Sequence, residues 1–190
     1  MILDITKYGN PVLRQKGAAI DKVTPEIKKL IDDMFETMHA NHGVGLAAQQ
    51  IGQALQLTVI DVTEAKDRPS TLEIKGKPAD VSELMPLVLI NPEIKPSGDP
   101  ATSGEGCLSF PQIYADVSRP EFVDVKALDK KGKPIEFKAG GLLSRAIQHE
   151  VDHLNGILFI DRMSKKAKDE IRGDLDELQA QTKVELGKKK

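Results

Sequence analysis

Two histidines four residues apart, with a glutamate directly after the first, form the strongest chemical pattern in the chain: Gln148-His149-Glu150-Val151-Asp152-His153. Residues four apart on a helix stack on one face, so the two imidazoles can converge on one point. Glu150 points about 100° away around the helix and can reach a group beside a metal without being forced to bind it. Two rings that hold a cation, and a carboxylate that handles protons, make a hydrolytic metal site. The plainer alternative is a pair of core histidines bonded to backbone carbonyls, with Glu150 near the surface. The neighbouring residues favour the metal. Leu142, Leu143, Ala146, Ile147, Val151 and Leu154 surround most of the helix, and a helix apolar nearly all round is buried. Buried polar groups in such a helix need partners.

Two histidines are too few for a catalytic metal, which takes three protein ligands. Gly156 falls where a longer His-Glu-x-x-His-x-x-Gly-x-x-His motif would have it, but Phe159 stands in place of the third histidine. No histidine follows His153. Glu170 and Glu177 are carboxylate candidates on a charged C-terminal segment. Cys107, beside Gly106 in an apparent tight loop, is the remaining strong ligand. A lone cysteine is commonly just a small buried hydrophobe.

The elements that must position these groups read as follows. The metal helix starts after Gly140-Gly141 and stops at Asn155-Gly156, a favoured C-terminal signal. An earlier helix opens at Thr24-Pro25-Glu26, with Thr24 as N-cap and Pro25 in the first position. Its stripe of Ile27, Leu30, Ile31, Met34, Phe35 and Met38 is core packing. His39 and His42 at its end have no matching partner and read as solvated or capping. Gly43 to Gly52 is rich in small residues that let another backbone approach; it lacks the Gly-Lys-Ser/Thr of a phosphate loop. Strands are expected at Leu57–Val62, Leu87–Asn91, Phe122–Leu128 and Ile157–Ile160. Residues 63–85 read as a long, mobile surface excursion, and 96–104 as a second loop.

The whole chain bounds the possibilities. At 190 residues it suits one domain with a real core, and a formal charge of −2 argues against coating nucleic acid or a membrane surface. No apolar run approaches the roughly 20 residues needed to cross a bilayer. The start, Met1-Ile2-Leu3-Asp4-Ile5, lacks the marks of a signal peptide, and a single cysteine fits a reducing compartment, so a cytoplasmic location is expected.

Three segments in order, Gly43-Val44-Gly45-Leu46-Ala47-Ala48-Gln49-Gln50, Glu105-Gly106-Cys107-Leu108-Ser109 and Gln148 to His153, resemble the peptide deformylase family. The likeness covers most of residues 1–163. It implies an α+β fold, with antiparallel or mixed sheets packed around a central metal-binding helix and flanked by an N-terminal and a C-terminal helix. Residues 1–163 would form the catalytic domain, 164–185 a helix packed on it, and 186–190 a disordered tail. The implied activity is removal of the formyl group from the N-terminal formyl-methionine of new polypeptides, releasing formate. By resemblance Cys107, His149 and His153 would hold the metal, ferrous iron in the cell, with zinc, nickel or cobalt able to replace it. Glu150 would be general base, then acid, for water activated by the cation, and Gln50 with the backbone N–H of Leu108 would bind the oxyanion. Gly43, Val44, Gly45, Glu105, Gly106, Leu142, Arg145 and Ala146 would contact the substrate, Gly45 through its backbone and Val44, Leu142, Arg145 and Ala146 around the methionine side chain. The chain departs from the family's pattern at His42, where an acid is common, at Tyr114, where many bacterial members have arginine, and at Arg145, in place of an aliphatic residue.

Two other readings compete. A zinc peptidase would need a third ligand after His153, and a closed structural metal site would need a fourth ligand. The resemblance also implies docking on the ribosome through the segment with Lys165, Lys166, Lys168 and Arg172, although acids there nearly balance the bases.

Overall fold

The computed structural model describes residues 1–189. Helix α1 (Pro25–Ala40) begins as its sequence dictates: the Thr24 hydroxyl accepts a hydrogen bond from the Ile27 N–H, and Pro25 occupies the first turn. Seven strands follow before the second long helix: β1 (Gly45–Ala47), β2 (Leu57–Ile60), β3 (Ser70–Ile74), β4 (Lys77–Ala79), β5 (Leu87–Cys107), β6 (Phe110–Leu128) and β7 (Pro134–Gly140). They form one sheet in the order β1-β2-β5-β6-β7-β3-β4, and its strand pairs are antiparallel. Helix α2 (Gly141–Leu154) follows β7, and α3 (Lys165–Glu170) and α4 (Arg172–Lys188) close the chain. The class is α+β, with α2 at the centre.

The apolar runs Leu57–Ile60 and Leu87–Ile90 lack strict alternation because both faces of this part of the sheet are covered. Ile60, Leu87 and Leu89 pack with Leu143, Ile147 and Val151 of α2, while Leu57, Val59, Val88 and Ile90 pack with Met34 and Met38 of α1. A third cluster joins Leu13, Phe110, Leu158, Phe159 and Leu175. It seats the C-terminal helices and the N-terminal arm.

Three expectations are corrected. The segment 63–85 is not simply an excursion: β3 and β4 turn through Lys75-Gly76, β3 pairs with β7, and Leu72 is buried. It also caps α2, since Leu142 N–H donates to Pro69 O and Leu143 N–H to the Ser70 hydroxyl, satisfying donors that a helix start leaves open. Residues 96–104 belong to β5, whose register shifts near Asn91-Pro92 and Gly98-Asp99 absorb the prolines that suggested a loop. Ile157–Ile160 is no strand. Its chain turns into a short 3₁₀ segment, Phe159–Arg162, where the Asp161 carboxylate accepts from Leu158 N–H.

Helix α2 ends as Asn155-Gly156 foretells. Gly156 has a φ of +73°, its N–H donates to His153 O, and Ile157 N–H donates to Asp152 O. That is the paired bonding of a Schellman end. In the C-terminal region the helix breaks at Ile171 and α4 continues to Lys188, with Leu175 buried in the third cluster. Lys190, the end of the expected tail, lies outside the described residues. Among the described residues no helix is long and apolar enough to cross a membrane.

Candidate metal centre and active site

The site is assembled where β5 ends against α2. Cys107 closes β5 and pairs with Phe110 across the two-residue turn Leu108-Ser109. One ligand atom each from Cys107, His149 and His153 lies within 4.8 Å of the others, and Cys107 Sγ is 3.3 Å from His153 Nε2. Metal–sulfur and metal–nitrogen bonds of about 2.3 and 2.1 Å in a tetrahedron put ligand atoms roughly 3.5 Å apart, so the spacing fits a shared cation. Glu170 and Glu177 sit on α3 and α4, outside this cluster.

Burial and orphaned atoms support the same conclusion. His149, Glu150 and His153 are buried, and Glu150 Oε2 and His153 Nδ1 have no hydrogen-bond partner. A buried carboxylate oxygen without a donor is costly unless something else engages it. Burial pushes the Glu150 carboxyl up to about 7, where it can accept and return a proton near neutrality. Burial opposes charge on both imidazoles. On His149 the bonds to Cys107 and Glu105 prevail and raise its pKa well above the usual value; on His153 burial and the adjacent His149 lower it well below.

Around the ligands lies a buried ionic network. His149 Nδ1 is 2.8 Å from Glu105 Oε1, the outer contact that orients a ligating imidazole. Arg119 donates to both Glu105 oxygens, at 2.6 and 3.0 Å, and to Asp152 at 2.9 Å. Asp152 also accepts from Arg162. Burial raises the pKa of Glu105, but the hydrogen bonds from His149 and Arg119 outweigh it and hold the carboxyl at about 2. Arg119, Asp152 and Arg162 went unassigned in the sequence. The available signal was a second acid, at position 152, in a buried helix one turn from His149.

The expected substrate residues surround a cleft of ≈ 480 Å³. Gly43, Val44, Gly45, Gln50, Glu105, Gly106, Leu108, Leu142, Arg145 and Ala146 all line it, together with Lys7, His42, Arg68 and Tyr114. Gln50 is oriented by its own 3₁₀ turn: Oε1 accepts from Ala47 N–H at 2.9 Å, which turns the NH₂ toward Cys107 Sγ at 3.4 Å. Gly45 is required by space, since a Cβ there would stand 2.6 Å from Glu150 Oε1. β1 is an edge of the sheet, with one side bonded to β2. Two expected contacts differ in kind from the rest. The Glu105 carboxylate faces His149 and arginines, and the Arg145 head group turns to Glu105, Val117 O and Ala101 O. The Lys7 ammonium donates to Leu108 O at 3.1 Å and bridges the N-terminal arm to the turn after Cys107.

Known proteins are similar to this chain in sequence and fold. The polypeptide deformylase family model matches residues 2–169. The peptide deformylase of Methylacidiphilum infernorum is 52% identical over 178 residues, covering 94% of this chain and 93% of its own. That of Opitutus terrae is 45% identical over 180 residues, covering 94% and 93%. Among solved structures, Arabidopsis thaliana peptide deformylase 1B in complex with an inhibitor superposes with a TM-score of 0.84 at 37% identity, over 97% of this chain and 94% of that one. A Synechococcus elongatus peptide deformylase in complex with actinonin gives 0.74 at 41% identity, over 95% and 85%. With the matched segments spanning the Cys107 turn and the His149–His153 helix, the chain belongs to the polypeptide deformylase family.

Proposed function

We propose that this chain is a metal-dependent peptide deformylase, which hydrolyses the formyl amide at the N-terminal methionine of new polypeptides and releases formate. The convergence of Cys107, His149 and His153 beside the unpaired Glu150 carboxylate carries the reading. A divalent cation held by these three residues would supply the positive charge that polarises a carbonyl oxygen and acidifies water. Iron(II) is the cation proposed for the cell; thiolate and imidazole donors also accept zinc, nickel or cobalt.

The remaining steps belong to the chain's own groups. Glu150, with its carboxyl pushed up to about 7, takes the proton of the attacking water and returns it to the leaving amine. The Gln50 NH₂, fixed by Ala47, and the backbone N–H of Leu108 face the developing oxyanion. Removing one such donor typically costs about 100- to 1000-fold. The free side of β1 offers the Gly45 backbone to an extended peptide, as an added strand. Val44, Leu142, Ala146 and the stem of Arg145 line the methionine pocket. Gly43 and Gly106 let Leu108 and Tyr114 lie close over the backbone of the cleft: a Cβ on either would meet them at 2.9 or 2.6 Å. Cytoplasmic residence and docking of α3 and α4 on the ribosome belong to the same proposal; co-sedimentation with ribosomes should fall when the chain is cut after Met163.

The activity is tested by formate release from formyl-Met-Ala-Ser after loading with iron(II) or nickel, against casein as a control. Formate release without casein cleavage is expected, and the reverse would favour a peptidase. Glu150→Ala should keep its metal, by elemental analysis, while kcat falls by at least about 100-fold. Full activity in that variant would remove Glu150 from the mechanism.

A further inference from the structure

The three ligands come from two elements. α2 carries His149 and His153 at a fixed spacing, but the place of Cys107 depends on how the β5–β6 hairpin docks on α2. Four polar residues on one side of α2, at spacings of three, four and seven, make that contact: Arg145, Gln148, His149 and Asp152. His149 reaches Glu105 on β5, while Gln148 reaches Pro120 O and Asp152 reaches Arg119, both on β6. Arg145 engages both strands. Its Nη1 donates to Glu105 Oε2 at 2.7 Å and to Val117 O at 2.9 Å, and its Nη2 donates to Ala101 O at 2.6 Å.

We propose that Arg145 is a positioning residue of the metal centre, which sets where the Cys107 sulfur stands relative to the two imidazoles. Glu105 precedes Cys107 by two positions in β5, and side chains two apart in a strand point to the same face. Fixing the Glu105 carboxylate therefore fixes the backbone that presents Cys107. One guanidinium holds that carboxylate and a carbonyl on each strand at once, which the single ammonium of lysine cannot do. Arg119 keeps Glu105 paired when Arg145 is replaced, so the buried carboxylate is not abandoned and the fold should survive. A residue that merely lined the methionine pocket would act on substrate affinity. A positioning residue acts on the cation and on the chemical step.

The activity arm of the test rests on the deformylase reading; the metal arm does not. Wild type, Arg145→Lys and Arg145→Met are loaded with cobalt(II). The thiolate-to-cobalt absorption band, the cobalt dissociation constant by chelator competition, kcat and KM on formyl-Met-Ala-Ser, and the circular dichroism of each protein are then measured. Both variants should be folded, bind cobalt about 10- to 100-fold more weakly, show a weakened or displaced thiolate band and lose kcat to a similar degree. KM should stay within about threefold of wild type. A wild-type cobalt spectrum and affinity in both variants, with any change confined to KM, would reduce Arg145 to a pocket lining. Loss of folded protein in both would assign it to the fold and overturn the proposal as well. A wild type that binds cobalt yet releases no formate would refute the deformylase reading while the cobalt spectra still decide the role of Arg145.

Discussion

Glu150 and Gly45 show how one side chain's chemistry depends on a neighbour's lack of one. The carboxylate lies where a β-carbon on residue 45 would be, within 2.6 Å of Oε1 and 2.8 Å of Cγ. Gly45→Ala must displace Glu150, β1 or both, and small misplacements in a reacting site are expensive: 1 Å can cost about 100-fold. A fall in kcat of about 10- to 100-fold is expected for that variant, with the thermal midpoint shifted by only a few degrees; unchanged kcat would mean that the carboxylate has room to move. At this scale much was legible in the sequence. His149, Glu150 and His153 are marked by residue type and by local spacing within one helix, Cys107 only by what else could join them and by family resemblance. One ligand atom from each of the three candidate ligands stands within 4.8 Å of the others. The Arg119 partnership was not legible, because it joins residues 14 and 33 positions apart through sheet register that local pattern does not encode. Arg145 lines the cleft as expected, but the partners of its head group were not legible for the same reason: they lie on strands distant in sequence.

Among the elements, the β3–β4 hairpin was the hardest to see. Its charged residues, Gly76 and Pro78 read as surface loop, yet it seals the outer side of β7 and supplies Pro69 O and the Ser70 hydroxyl to the first turn of the metal helix. Pairing hidden in the polar stretch Thr71-Leu72-Glu73-Ile74 becomes visible only once β7 is beside it. Leu72 reports on this role, being 2% exposed. Leu72→Ala should destabilise the protein by about 2–5 kcal/mol in urea unfolding, whereas a side chain in a mobile excursion would tolerate the change within about 0.5 kcal/mol. By contrast α1, α2 and their ends were readable, since Thr24-Pro25 and Asn155-Gly156 act through bonds within a few residues.

For the molecule as a whole, distant segments are tied to the core by ion pairs at its edge. Arg14 of the N-terminal arm donates to Asp161 at 2.5 Å, joining the arm to the segment that follows the metal helix. Burial raises the Asp161 pKa, but the bonds from Arg14 and the Leu158 N–H prevail and hold it below the usual carboxylate range. A carboxyl depressed on folding contributes stability that is complete above its unfolded pKa of about 3.9 and is lost as pH falls through the lower folded value. Asp161→Asn should therefore destabilise at pH 7, and its difference from wild type should shrink toward zero as the medium is acidified below about pH 4. Both side chains are about a third or more exposed, so the effect at pH 7 should not exceed about 1 kcal/mol. A difference independent of pH would mean that the amide fails for reasons of packing rather than charge.

The catalytic roles depend on the sulfur of Cys107 sharing a cation with the two imidazoles of α2. X-ray absorption at the metal edge of the loaded protein measures this directly. One sulfur at about 2.3 Å beside nitrogen or oxygen neighbours at about 2.0–2.2 Å is expected, with the sulfur lost in Cys107→Ala. A wild-type shell of nitrogen and oxygen alone, or one unchanged by that substitution, would contradict it.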